Sequence, residues 1–482
     1  MFTTMASTEQ RTAEAQAGSR PESLETNYSA DENIELDQLT GAETNVALRE
    51  DVPPDGGYGW VVTACVFLIN AHTWGVNSAW GVFLAHYLSQ STFAGATHLE
   101  YSLIGGLSIS QSLLVAPLVS WSNEKLGTRI SLLVGTVLVS ASMLTSSFAT
   151  QVWQLFLSQG ACFGYGMGFL YITASAVLPQ WFSKRRSLAV GIASSGAGFG
   201  GLAYNLGAGA GLESIGWRWT YIVLAISTVV VNLACALLLK DRNKIIRPKQ
   251  RLFDVREIWH ISTFLIISWG WLTELGYIVL LYSLPNYATS IGLTAKQGSI
   301  VGAVLNLGLA FGRPIVGYCS DRVGRINVAT AMTALCGVFC LAIWVPANSY
   351  AVLLVFALFS GTVTGTFWGT VIPVTAEVVG IQRLPVAFGM ICLPLCLPTT
   401  FAESIALQIV SASGYLSAQV FVGCMYLAGA VSVWGLRSWK IREVDEDEKR
   451  EREGRVPIPV GSERAHDKMW LSLQGLIGLR KV

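Results

Sequence analysis

The sequence predicts an all-α membrane protein whose twelve transmembrane helices form two pseudo-symmetric bundles of six. Three observations carry this: a shortage of charge, a series of apolar runs of spanning length, and motifs that recur at one offset. Of 482 residues, 52% are hydrophobic and 13% charged, with a mean hydropathy of +0.49. Soluble domains usually carry about 25% charged residues, so too little charge is available to cover a water-facing surface. The apolar runs match the roughly 20 residues that a helix needs to cross about 30 Å of hydrocarbon. In lipid they must be helical, because their backbone groups have no other partners.

In chain order, the runs place helices near 60–84, 99–120, 130–150, 152–178, 187–208 and 217–239. A second set follows near 259–284, 297–319, 327–346, 350–374, 385–409 and 415–436. Residues 1–54 are acidic, lack an apolar segment and read as a disordered tail. The domain boundaries are then a tail at 1–54, bundles at 55–239 and 258–440, a central loop at 240–257 and a second tail at 441–482. The run from Arg442 to Arg455 reads as a solvated tail, and 469–482 as a mildly amphipathic end of unassigned role.

Lys and Arg orient the chain. They gather in alternate loops, at Lys125 and Arg129, at Lys184, Arg185 and Arg186, and densely from Lys240 to Arg256. Arg322 and Arg325, Arg383, then Arg437, Lys440 and Arg442 continue the series, while the other loops hold little beyond Arg218 and Lys296. This bias predicts that both termini are cytoplasmic; the plasma membrane is the location expected. Trp60, Trp121, Trp181, Trp217, Trp259 and Trp439 read as anchors at the membrane interfaces.

Two echoes support duplication. Gly127 and Gly324 follow helices 2 and 8 in similar loops, with 324 − 127 = 197. Gly191 and Gly389 follow similar entries to helices 5 and 11, with 389 − 191 = 198. Parallel halves of this kind place a solute site near the midplane and alternate its access by rocking.

The stretch Gly317-Tyr-Cys-Ser-Asp321-Arg322-Val-Gly324-Arg325 resembles the loop signature of the major facilitator superfamily. Asp321, Arg322 and Arg325, with Arg129 in the weaker first-half copy, are candidates for a cytoplasmic latch between the halves; the alternative is a solvated turn. Asp55-Gly56-Gly57-Tyr58-Gly59-Trp60 before helix 1 and Trp181-Phe-Ser-Lys184-Arg185-Arg186-Ser-Leu-Ala-Val-Gly191 into helix 5 resemble the paired signatures of the monocarboxylate porter family, most closely its fungal branch. Gly164, Gly166 and Gly168, and Gly312-Arg313-Pro314, fit that branch too. The resemblance spans residues 52–440 and implies the facilitator fold with secondary-active transport of small organic solutes, often monocarboxylates with a proton. The chain departs from the proton-coupled lactate carriers at Ser78, where they have a lysine, and at Leu309, where they have an aspartate one turn before the retained Arg313.

Ionisable groups inside hydrocarbon cost at least about 2.5–3.5 kcal/mol each, so they are the default site candidates. Arg313 lies roughly 9 Å from the inner end of helix 8, at 1.5 Å per residue. It is read as an anchor for an anionic oxygen, or else as a cap on the carbonyls freed by Pro314. Glu274 in helix 7 lies about 13 Å from Arg313 in depth on the same count, and is either a proton acceptor or a lumen-facing polar group. His72 in helix 1 is the second coupling candidate, set against a plain helix contact. Asn70, Asn77 and Asn306 complete the candidate solute-binding set.

The function expected is secondary-active transport of a small organic solute, a monocarboxylate or related anion, by alternating access. An efflux carrier for a fungal secondary metabolite is the alternative, and a non-transporting solute receptor the alternative of another class. No HExxH, GxSxG or P-loop pattern accompanies the helices, so neither an enzyme nor an ATP-driven pump is expected. The expected partners are the solute, the bilayer and a co-transported proton, with no cofactor, metal or nucleic acid; a monomer is the simplest assembly.

Overall fold

The computed structural model describes residues 53–90, 92–93, 96–246 and 260–453. Most of the first tail, residues 247–259 of the central loop (with Trp259, Arg251 and Arg256) and the segment 469–482 lie outside the described residues. Residues 53–453 belong to one compact unit, and every regular element among those described is helical.

The first bundle begins with α1, in three pieces: Gly59–His72, Trp74–Ser78 and Trp80–Gln90. The sequence reads it as one helix. The breaks have a local cause, since the hydroxyls of Thr73 and Ser78 donate to the carbonyls of Ile69 at 2.6 Å and Gly75 at 2.7 Å. Side chains bonded back to the preceding turn bend helices. α2 runs as His98–Leu114 and Ala116–Lys125, bent by 42° where Pro117 removes a donor and crowds the preceding turn. Then come α3 (Thr128–Ser147), α4 (Val152–Gln180, with a π-helical turn at Phe156–Cys162), α5 (Arg186–Ser214) and α6 (Gly216–Leu238).

The second bundle comprises α7 (Ile261–Ser290), α8 (Ala295–Val323), α9 (Arg325–Trp344) and α10 (Tyr350–Val379, interrupted at Gly365). Leu384–Arg452 holds α11 and α12 as one run, divided where Gly414 takes φ +78°. Nine described helices are long and apolar enough to cross a membrane, or ten with the bent α2. Dividing the last run at Gly414 and adding the glycine-rich α5, as long as its neighbours, gives the twelve expected.

Backbone geometry adds to the repeat. Gly127 and Gly324 sit in the equivalent turns with φ of +88° and +118°. A further pair, Gly216 and Gly414, both take φ +78°, with 414 − 216 = 198. Glycine occupies this region without the Cβ penalty that other residues meet.

α12 departs from its expectation. It runs on to Arg452 instead of ending near 436, and Lys440, Ile441 and Glu443 are buried. Lys440 Nζ pairs with Glu443 at 2.5 Å and donates to the Glu377 carbonyl at the end of α10 at 3.1 Å. Trp439, expected at an interface, is fully buried. The mixed charges that read as solvated are partly satisfied inside the protein.

The bundles are joined at the end that carries the basic loops. One apolar cluster runs from α1, α4 and α5 through Ile266, Trp269, Phe367, Val371, Ile391 and Leu395 of the second bundle. Toward the opposite end, that bundle has its own cluster around Leu284, Val301, Trp344, Phe356 and Tyr426. Across the interface α5 packs on α8 and α2 on α11. The site lies between these seams.

Candidate functional site

At mid-depth, Arg313 leaves α8 one residue before Pro314 and is 7% exposed. One guanidinium nitrogen donates to the Ser194 carbonyl of α5, in the other bundle, at 2.6 Å. Its Nε is buried without a partner. Room comes from Gly365 at the break in α10, where a Cβ would stand 2.8 Å from that Nε. A buried charge with an unused donor is costly; the arrangement fits a group waiting for an acceptor.

Glu274 on α7 is 3% exposed. Its carboxylate lies near the Trp368 indole of α10 and within electrostatic reach of Arg313, without an ion pair to it. Trp368 meets two rings of the first bundle, Trp74 at 5.9 Å and Tyr171 at 6.0 Å between centroids. Trp74 and Tyr171 meet edge to face at 5.5 Å. A cation, a carboxyl and an aromatic wall drawn from both bundles thus converge near the midplane. Such a set can orient a small anion by its oxygens and enclose its apolar body.

The other candidates are placed differently. Asn70 is buried and donates to the carbonyls of Val66 and of Ala193 in α5, at 2.9 and 3.1 Å. Asn77 accepts from the Ser108 hydroxyl of α2 at 2.7 Å. Both knit helices of the first bundle together. Asn306 donates to Gly302 of its own helix at 3.1 Å. His72 bonds the Leu68 carbonyl at 2.9 Å and meets the Tyr204 ring at 5.5 Å. None of the four joins the Arg313 group. Trp74, Tyr171 and Trp368 are missed by sequence reasoning; the available signal is that Trp74 and Trp368 fall inside apolar runs, away from the interfaces where tryptophan concentrates.

At the basic end the two family-like motifs form one structure. Asp55, at φ +53°, points its Oδ1 at the N–H groups of Ser183, Lys184 and Arg185, at 2.7, 2.8 and 3.4 Å. This caps the turn into α5, where a carboxylate also meets the positive end of the helix dipole. Gly57 takes φ +58°, and a Cβ on Gly59 would stand 2.9 Å from the Phe182 ring. Trp60 packs edge to face on that ring at 5.0 Å, while Gly56 has open space. Arg186 is buried and donates to Phe182 O at 3.0 Å; Lys184 and Arg185 are exposed.

Asp321 of α8 reaches the same helix from the other bundle, accepting from Ser187 N at 3.0 Å and Leu188 N at 2.9 Å. Arg325 donates to Ser183 O at 2.6 Å and lies 3.5 Å from both Asp321 and Glu377. Gly191 permits the approach: a Cβ there would stand 2.4 Å from the Arg313 carbonyl oxygen. Two residues expected in this group do not join it. Arg322 lies over the Tyr318 ring of its own helix at 4.4 Å, and Arg129 reaches Leu237 O of its own bundle at 3.4 Å. Each finds a partner nearer than the facing bundle.

The comparisons accord with this geometry. A model of the Major Facilitator Superfamily matches residues 62–302 and 266–479. "Probable transporter MCH2" of Saccharomyces cerevisiae is 33% identical over 406 residues, 82% of this chain and 86% of that protein. "Fujikurins efflux protein" of Gibberella fujikuroi is 25% identical over 418 residues, 86% of this chain and 90% of that protein. Among solved structures, the proton:xylose symporter XylE aligns with a TM-score of 0.62 over 78% of this chain and 95% of its own, at 14% identity, which speaks for the fold. The protein is a multi-pass membrane transporter and not an enzyme, and the chain belongs to the Major Facilitator Superfamily.

Proposed function

We propose that the protein is a secondary-active carrier of a small organic anion, a monocarboxylate or a close relative, at the plasma membrane with both termini cytoplasmic. The observation that carries the reading is Arg313: a buried cation, fixed from across the bundle interface by Ser194, with Nε unpartnered and an aromatic wall nearby. The motifs at Asp55–Trp60 and Trp181–Gly191 support the monocarboxylate porter family within the superfamily. Glu274 is the coupling group, since it alone among the candidates lies within reach of Arg313. His72, Asn70, Asn77 and Asn306 are support residues at the periphery. Asp321 and Arg325 close the cytoplasmic side by docking on α5, and alternating access requires that docking to break.

Transport by purified protein in liposomes tests this. Radiolabelled monocarboxylates are offered with and without an inward proton gradient. At least one should accumulate above protein-free liposomes, faster with the gradient. Movement of neutral solutes alone would overturn the anion reading. A second reading, export of a secondary metabolite, is favoured by the relative named as an efflux protein. Release from preloaded vesicles that exceeds uptake under the same gradient would select it.

A further inference from the structure

Among the described residues, the basic-end gate contains two seams related by the repeat, α5/α8 and α2/α11, and a carboxylate docked on backbone N–H groups is seen at the first. An offset of 197 carries Asp321 onto Glu124, Arg325 onto Thr128 and Arg313 onto Ala116; an offset of 198 carries Ser187 onto Pro385 and Gly191 onto Gly389. The acid, the arginine and the receiving Ser187 are all altered in the other copy, while the glycine is kept. Asp321 receives two backbone N–H groups of α5. Glu124 is exposed and lies 3.5 Å from its neighbour Lys125. Arg325 reaches across to Ser183 O, whereas the Thr128 hydroxyl accepts from Asn243 of the central loop at 3.2 Å.

The receiving helix has changed as well. At the start of α11, Leu384 N is spent on Gly380 O at 3.1 Å, and Pro385 has no N–H. A carboxylate arriving there finds no adjacent pair of donors like Ser187 and Leu188. Packing follows the same division. A Cβ on Gly191 would stand 2.4 Å from Arg313 O, but one on Gly389 would stand 3.9 Å from Ala116 O and 3.3 Å from Ser120 Oγ. A small cleft between α2, α4 and Asn243, with Pro385 as its lining residue from α11, lies beside this looser seam.

We infer that the carboxylate latch of the basic-end gate is built along α5/α8, and that α2/α11, where Pro385 abolishes the receiving donor pair, is the weaker seam, which parts first to admit water before the α5/α8 docking breaks. The inference does not depend on which solute is carried, and its test uses none. Ser120 is 5% exposed at the seam, so a Ser120→Cys reporter reacts with a hydrophilic maleimide when the seam opens. Its modification rate is followed in purified, nanodisc-embedded protein by mass spectrometry at that cysteine. Glu124→Asp with Pro385→Ser rebuilds acid and donor, and should slow modification about tenfold, the worth of one charge-assisted hydrogen bond. Glu124→Asp alone should change it less than twofold, because the donor is still missing. Asp321→Asn should speed it several-fold. If the rebuilt seam reacts at the native rate, or if Asp321→Asn has no effect, the inference is overturned. Pro385→Ala, which also restores the N–H, replaces Pro385→Ser if the latter does not reach the membrane.

Discussion

The two bundles descend from one plan but carry unequal chemistry. At mid-depth the second holds Arg313, Glu274 and Trp368. Positions 197 residues earlier hold Ala116, Asn77 and Tyr171. Arg313 keeps an unused donor with Glu274 within electrostatic reach, whereas Asn77 is bonded to Ser108 and Ala116 is fully buried. The first bundle is tied to itself at the places where the second keeps groups available. Duplication supplied two scaffolds; one was left to hold shape while the other acquired charge. Because Arg313 and Glu274 both lie in the second half, their desolvation is concentrated there, where the first bundle supplies Ser194, Trp74 and Tyr171 as support.

The largest effect expected separates the equivalent positions at mid-depth. Arg313→Ala should reduce flux about a hundredfold, the loss of roughly 3 kcal/mol in charge-assisted bonds to the solute. Ala116→Ser in the other bundle should stay within a factor of two. Equal losses, normalised to protein in the membrane, would break the comparison. Next come the paired glycines. Gly191→Ala forces a Cβ onto the Arg313 carbonyl, and overpacking of about 1–3 kcal/mol should cut flux roughly tenfold or more. Gly389→Ala meets only the tip of Ser120 and should be tolerated in the same assay. The smallest effect concerns helix starts. Asp55→Asn should lower thermal stability by about 1 kcal/mol, the worth of a carboxylate cap. Lys184→Ala, which keeps the backbone N–H that Asp55 accepts from and removes only an exposed side chain, should leave the melting temperature nearly unchanged in detergent.

The fold was legible because spanning helices leave a long, repeated apolar signal that tertiary context cannot override. What escaped was local. The breaks in α1 depend on hydroxyls bonding the preceding turn, and α12 past residue 436 depends on Lys440 meeting Glu377, a partner 63 residues away. Of the site, Arg313 and Glu274 were readable because charge is rare in hydrocarbon. Asn70 and Asn77 were not separable from cavity liners, since an asparagine bonded to a neighbouring helix has the same sequence signature as one facing a solute. The aromatic wall was invisible for a related reason: a tryptophan inside a span gives no sign of its direction, and its three rings come from three helices. Asp321 stands out in its motif as a latch candidate, but its receiver is backbone, which no residue type announces.

The extension of α12 has a mechanical consequence. Lys440 grips the last turn of α10 at Glu377, and Glu377 is also a partner of Arg325. The last turns of α12 are therefore two contacts from the Arg325 hold on Ser183. Lys440→Ala, which frees that end of α12 from Glu377, disturbs the clasp while leaving Arg313 and Glu274 untouched.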